Sequence, residues 1–252
     1  MQAMTWFYIL ALLAAVAAFL VRYNLFRPPK NPLWPRVLMH HSVAPPGQYG
    51  GEHGLNIPPE VLERHIKWLK KHGYTFLTLA ELPDFTPDRK HVVLTFDDGI
   101  ANNAQYVSPL LQKYGIRATI FPTWDNTEAP VLSDAQIREM ADSGLWEVGA
   151  HTLTHRNLRD LPDEEATREI VESKAKIESI TGKPCVSFSY PYGQLDDRHV
   201  EMVRAAGFRA ACTTKKRILP LTNPLKINRL SIITGIDPLQ FYIVMTRGKY
   251  RI

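Results

Sequence analysis

Four short polar clusters in this chain have the residue types and spacing for metal-assisted hydrolysis. Asp97 and Asp98 lie in Thr95-Phe96-Asp97-Asp98-Gly99, at the end of a nearly continuous apolar run from His91. His151 and His155 lie in His151-Thr152-Leu153-Thr154-His155, just after a second apolar run from Leu145 to Ala150. One carboxylate oxygen and two imidazole nitrogens make a ligand set for a divalent cation that leaves a position open for water. A second carboxylate beside them can serve as a general base. Successive strand side chains point to opposite faces, so both carboxylates serve one centre only if the chain leaves strand geometry at Asp98, which Gly99 permits. The plainer alternatives are a solvated Asp-Gly turn and two hydrogen-bonded histidines. Ser189-Tyr190-Pro191-Tyr192-Gly193 is either a turn of packed aromatics or a rigid backbone that aims an amide at a developing oxyanion. His40-His41 closes a first apolar run, Val37 to Met39.

Each cluster needs an element that ends where it begins, and the pattern supplies one. Strands are expected at 37–39, 75–79, 91–96, 118–121, 145–150, 186–190, 208–212 and 227–233. Helical stripes separate them: Leu62, Ile66 and Leu69 after Pro58-Pro59; Ala104, Val107, Leu111 and Tyr114 as one face stopped by Gly115; a helix capped by Ser133; and a long one over Glu164–Thr181 closed by Gly182. Further helices are expected over Arg198–Ala206 and after Pro238. Strands alternating with helices imply right-handed βαβ units and a parallel sheet, open or closed into a barrel. In either form the chemistry gathers at the C-terminal ends of the strands, where all four clusters fall.

Taken in this order, the Thr-Phe-Asp-Asp-Gly and His-Thr-x-x-His motifs resemble the polysaccharide deacetylase family, the NodB-homology or carbohydrate esterase family 4 group. The resemblance runs from about Val37 to about Ile233. It implies a distorted (β/α) barrel with fewer strands than eight. It implies Asp98, His151 and His155 as ligands to one divalent metal, most often Zn2+ in that family. Asp97 would be the general base and the backbone N–H of Tyr192 an oxyanion donor. An amide is a poor electrophile, so a polarising cation and an activated water suit this chemistry. A positioned base contributes about 10²–10⁴-fold.

The chain also departs from the family pattern. The Leu-x-His motif that protonates the leaving amine is missing, because no histidine follows His199. Some members, of the biofilm poly-N-acetylglucosamine deacetylase type, carry this histidine in a Tyr-His pair at the start of the domain. His41 occupies that place, with His40 for the tyrosine, and is expected to be the general acid. Ser189 stands where many members have an arginine beside the base. Arg229, in Asn228-Arg229-Leu230, either restores that charge or forms an ordinary salt bridge. His40, Tyr190, Pro191 and Arg229 are expected to contact substrate. The family's Asp-x-x-Asp-Trp motif is absent. His53, His65, His72, His91 and His199 are read as structural.

The 252 residues divide into an anchor (1–24), a proline-rich linker (25–36) and the catalytic domain (37–252). From Ala3 to Val21 the chain is apolar except for Thr5, long enough to cross a hydrocarbon layer roughly 30 Å thick. No Lys or Arg precedes this run and no small-residue cleavage site follows it, so a retained single-pass anchor in the cell membrane is preferred to a signal peptide. Arg22, Arg27, Lys30 and Arg36 follow the span and lean toward a cytoplasmic domain, although long domains cross regardless of flanking charge. The net charge of +5 is scattered and no nucleic-acid motif is present, which argues against nucleic-acid binding. Cys185 and Cys212, far apart, fit two buried core thiols. The expected function is removal of an N-acetyl group from an amino sugar in a surface or biofilm polysaccharide or its lipid-linked precursor. The alternatives are a deformylase or deacetylase of a polyprenyl-linked sugar, and a glycan-binding protein that keeps the barrel without catalysis.

Overall fold

A computed structural model describes residues 2–23, 25–48, 54–125 and 129–248. An apolar helix, α1 (Gln2–Arg22), comes first, and no part of its span from Met4 to Arg22 is buried. The α/β domain then begins with β1 (Arg36–His40), one residue before the expected boundary, and β5 (Lys90–Phe96) lies beside it. Two short strands, β2 (Ser42–Val43) and β3 (Asn56–Ile57), pair with each other after β1. Helix α2 (Pro59–Lys71) leads into β4 (Tyr74–Leu77). After β5 come α3 (Asn102–Tyr106), α4 (Ser108–Tyr114), β6 (Ala118–Ile120), α5 (Asp134–Asp142) and β7 (Trp146–Val148). The chain ends with α6 (Asp163–Thr181), β8 (Ser187–Ser189), α7 (Asp197–Ala205), β9 (Ala210–Cys212), β10 (Leu230–Ser231) and α8 (Pro238–Arg247).

All the strand pairings are parallel. The main sheet runs β10-β1-β5-β6-β7, with β4 against the first half of β5. A bridge from Ala150 to Phe188 continues it into β8 and β9, and one from Cys212 to Ile227 reaches the segment leading into β10. The sheet thereby returns to β1, a distorted barrel of fewer than eight strands. Side chains on alternate positions form two separate buried layers. Val37, Val93, Phe121, Ala210, Cys212 and Ile227 pack together inside, with Leu79 and Leu82 from the loop after β4. Leu38, Val92, Leu94, Phe96, Ile120 and Val148 face outward into the larger layer against the helices.

The stripe from Ala104 to Tyr114 is two helices rather than one. The chain breaks at Val107, where the Ser108-Pro109 start of α4 brings a proline whose missing N–H and fixed φ suit a first turn. Both cysteines are buried and unpaired, and burial pushes each thiol up to about 12. His199 is structural as expected: Nδ1 accepts the Asp196 N–H at 2.9 Å and Nε2 donates to the Leu158 carbonyl at 3.1 Å.

The linker is docked rather than a free spacer. The Lys30 N–H donates to Thr246 O at 2.8 Å, and Arg247 Nε donates to Arg27 O at 3.0 Å, so the segment lies along the end of α8. Arg36 is buried, with Nε on Met245 O at 3.0 Å and Nη1 on the carbonyls of Asn31 and Trp34. It belongs to the barrel, and the flanking-charge argument loses one of its four cations.

Candidate active site

Three strand ends and one loop converge at one mouth of the barrel. The Asp97 N–H still donates to His40 O at 2.9 Å, as a strand residue does. At Asp98 the backbone turns left-handed, with φ 67°, and Gly99 continues at φ 62°. A Cβ on Gly99 would come within 2.7 Å of the Pro122 Cα, so the turn needs both the angle and the absent side chain. The turn swings Asp98 away from strand alternation and onto the side of Asp97. Asp98, Thr152, His155 and Tyr192 are the non-glycine residues with left-handed backbone among the described residues, and all four belong to the site motifs. Each such conformation costs about 1–3 kcal/mol and persists only where its surroundings impose it.

Asp98 Oδ1 lies 3.4 Å from His151 Nε2 and 3.4 Å from His155 Nε2. Those contacts are longer than good hydrogen bonds, and this buried oxygen has no hydrogen-bond partner. The three ligand atoms lie within 4.8 Å of one another. His151 Nδ1 sits 2.7 Å from the Ser189 carbonyl, which can only accept, so Nδ1 carries a proton and Nε2 is the nitrogen turned toward Asp98. An orphaned carboxylate oxygen between two imidazole nitrogens fits a divalent cation. Burial, then the neighbouring His151, hold His155 down to about 4. Burial raises the Asp98 carboxyl, but contact with His151 and the charges of His41 and His151 bring it below its ordinary value.

Asp97 is almost completely buried and faces Arg229, which has no exposed surface. Nη1 and Nη2 of Arg229 reach Oδ1 and Oδ2 of Asp97 at 2.7 Å each. The remaining donors are also used: Nη1 on the Thr95 hydroxyl at 3.1 Å, Nη2 on the Ser189 hydroxyl at 3.1 Å and Nε on the Thr213 carbonyl at 2.9 Å. Burial alone would raise the Asp97 carboxyl, but the Arg229 charge holds it far below the carboxylate range. A small serine at 189 leaves room for a guanidinium arriving from the strand edge before β10.

His41 follows β1 directly, is half-buried and acts electrostatically on Asp97, Asp98 and His155. Its carbonyl accepts from Asn103 Nδ2 at 2.9 Å, a contact the sequence did not announce. Tyr192 turns at φ 57° and places its ring 4.8 Å from that of His155. The next residue, Gly193, admits no Cβ, which would fall 2.4 Å from the Thr214 nitrogen.

The four residues expected to contact substrate are all buried. His40 is buried, stacked on Phe96 with ring centroids 4.9 Å apart, and burial lowers it to about 4. Tyr190 is buried with its hydroxyl on Leu225 O at 3.2 Å, Pro191 is buried, and every nitrogen of Arg229 is engaged within the protein. They support the walls of the cleft. The loops 44–57 and 124–132 include residues 49–53 and 126–128, which lie outside the described residues. Gln48 and Pro130 from these loops line a cavity of about 660 Å³ on the barrel flank between α4 and α5.

The sequence profile described as Polysaccharide deacetylase matches residues 84–211, a span that holds both acidic residues, both histidines and the Tyr190-Pro191-Tyr192 turn. The chain belongs to the polysaccharide deacetylase family. It is 31% identical over 185 residues to YxkH of Bacillus subtilis, named for polysaccharide deacetylation, over 71% of this chain and 64% of that one. It is 28% identical over 189 residues to a poly-β-1,6-N-acetyl-D-glucosamine N-deacetylase of Staphylococcus aureus, over 68% of this chain and 65% of that one. The chain thus spans slightly less than two thirds of the length of these two relatives. Among solved structures, the polysaccharide deacetylase BA0330 of Bacillus anthracis superposes with a TM-score of 0.72 and 32% identity, covering 83% of this chain and 68% of that one. The barrel of this family member is the NodB-type α/β fold.

Proposed function

We propose that this protein is a metal-dependent N-deacetylase acting on N-acetylated amino sugars of a polysaccharide, held at the membrane by α1. The observation that carries the reading is the four-residue constellation: one orphaned carboxylate oxygen between two imidazoles, with a second carboxylate, paired to Arg229, beside it. Asp98, His151 and His155 would hold the divalent cation, and the family favours Zn2+. When bound, that cation polarises the amide carbonyl and lowers the pKa of water. Asp97, kept anionic by Arg229, accepts the proton of the attacking water. The Tyr192 backbone N–H, aimed by the left-handed turn, stabilises the charge developing on the amide oxygen. His41 gives a proton to the departing amine, the task for which the chain has no later histidine. Its place directly after β1, within electrostatic reach of Asp97, Asp98 and His155, supports that role.

The Staphylococcus aureus relative supports an N-acetylhexosamine polymer as substrate. The glycan-binding alternative has little in its favour, because a binder gains nothing from a buried base held by two guanidinium contacts beside a ligand triad. The test is amine release from N-acetylglucosamine oligomers by the full-length protein in detergent. Wild type should be active, chelation should abolish activity, and Asp97→Asn should be inert while retaining its metal. A wild-type protein that binds Zn2+ yet releases no amine from any N-acylated sugar polymer would sink the proposal.

A further inference from the structure

The loop that carries both histidines is fastened from outside the site by one side chain. Glu169, within α6, accepts the Leu153 N–H at 2.8 Å and the Thr154 N–H at 3.0 Å on Oε2, and the Thr154 hydroxyl at 2.5 Å on Oε1. From the opposite side, the Leu153 carbonyl accepts the Trp124 N–H at 3.0 Å and the Thr123 hydroxyl at 2.9 Å. The Leu153-Thr154 peptide is therefore gripped on both edges, between Thr152 at φ 62° and His155 at φ 57°. Neither flanking residue is a glycine, so a free loop would relax out of the left-handed region.

His155 depends on that grip more than His151 does. The His151 ring is anchored through Nδ1 to the Ser189 carbonyl. Among the described residues no hydrogen bond holds the His155 ring, whose direction comes from its backbone and from the rings of His151 and Tyr192 at 4.7 and 4.8 Å. Its own N–H is spent locally, on Thr152 Oγ1 at 3.1 Å. Three donors point at Glu169, two backbone N–H groups on Oε2 and one hydroxyl on Oε1, and a side chain without an acceptor oxygen leaves both N–H groups unsatisfied.

We propose that Glu169 is a positioning residue for the cation site: its carboxylate locks the Leu153-Thr154 peptide and thereby holds His155 in the one direction that lets it share a divalent cation with Asp98 and His151. The inference rests on reading that triad as a metal site. Methionine at 169 keeps the length and the helix but offers the two N–H groups no oxygen, so Glu169→Met isolates the acceptor role. Glu178 offers a comparison on the same helix: its carboxylate accepts the Cys185 N–H at 3.0 Å, far along the chain from the histidine loop.

The experiment is Zn2+ competition against a chromophoric chelator, on full-length protein in detergent, well below the unfolding midpoint of each metal-free variant. Wild type should bind one equivalent, and Glu169→Met should bind about 10- to 100-fold more weakly, as loss of a partner behind the ligands does elsewhere. Glu178→Ala should lower the metal-free unfolding midpoint and leave Zn2+ affinity unchanged. A Glu169→Met protein with affinity within twofold of wild type overturns the inference and leaves the proposed function standing. A wild type that takes up no Zn2+ overturns both. Should Glu169→Met fail to fold, Glu169→Ala decides by the same twofold criterion.

Discussion

At the scale of single residues, the Asp97–Arg229 pair sets the chemistry. A buried carboxylate with one cation is stable only while paired, and removing the partner typically costs about 3–5 kcal/mol. Arg229→Ala should therefore destabilise strongly, and Arg229→Gln is the gentler probe. Without the guanidinium, the influence that lowers the Asp97 carboxyl disappears and burial, which raises it, remains. A base works only when deprotonated, so the acidic limb of kcat/KM should move to higher pH in Arg229→Gln; a superimposable pH profile would contradict the pairing. The same linkage gives wild type a stability contribution that is present above the ordinary Asp value of 3.8 and lost as the pH falls below it. His41→Ala should cut deacetylation by 10²-fold or more, the lower bound of about 10²–10⁴ for a positioned acid, with metal content unchanged in the same preparation. The acids and histidines of the site were legible in the sequence because each motif is local and ends an apolar run. The burial of Arg229 was not, since its partner lies 132 positions away and no local spacing encodes that meeting.

At the scale of elements, the site depends on where strands stop. The strand positions were readable because parallel, doubly covered strands leave continuous apolar runs such as Val92 to Phe96. The break between α3 and α4 was not foreseen, because one apolar stripe runs through both helices and periodicity registers the face, not the continuity of the backbone. Nor were β2 and β3, whose two-residue pairing is too short to leave a pattern. The turn after β5 is the most demanding joint. Gly99→Ala adds left-handed strain and a backbone contact at 2.7 Å, and should destabilise by about 1–3 kcal/mol. Its thermal midpoint should fall, and Zn2+ affinity should fall with it because Asp98 is the adjoining residue. Gly115, left-handed but with open space around the Cβ position, supplies the comparison: Gly115→Ala should carry backbone strain alone and keep its Zn2+ affinity.

At the scale of the whole molecule, the barrel has a mouth and a base, and the chain enters at the base. Arg36 is the bolt there, one guanidinium on the carbonyls of Met245, Asn31 and Trp34. Arg36→Met should free the segment from 25 to 35, and limited proteolysis should then cut within it at enzyme doses that leave wild type intact; an unchanged cleavage pattern would refute the clamp. The docking was illegible in the sequence, because four prolines between residues 25 and 35 suggest a spacer whether or not a distant helix lies alongside. Because Arg27, Lys30 and Arg36 all tie the stalk to the end of α8, a pull on α1 reaches the barrel at the start of β1, at the opposite strand ends from the catalytic cluster.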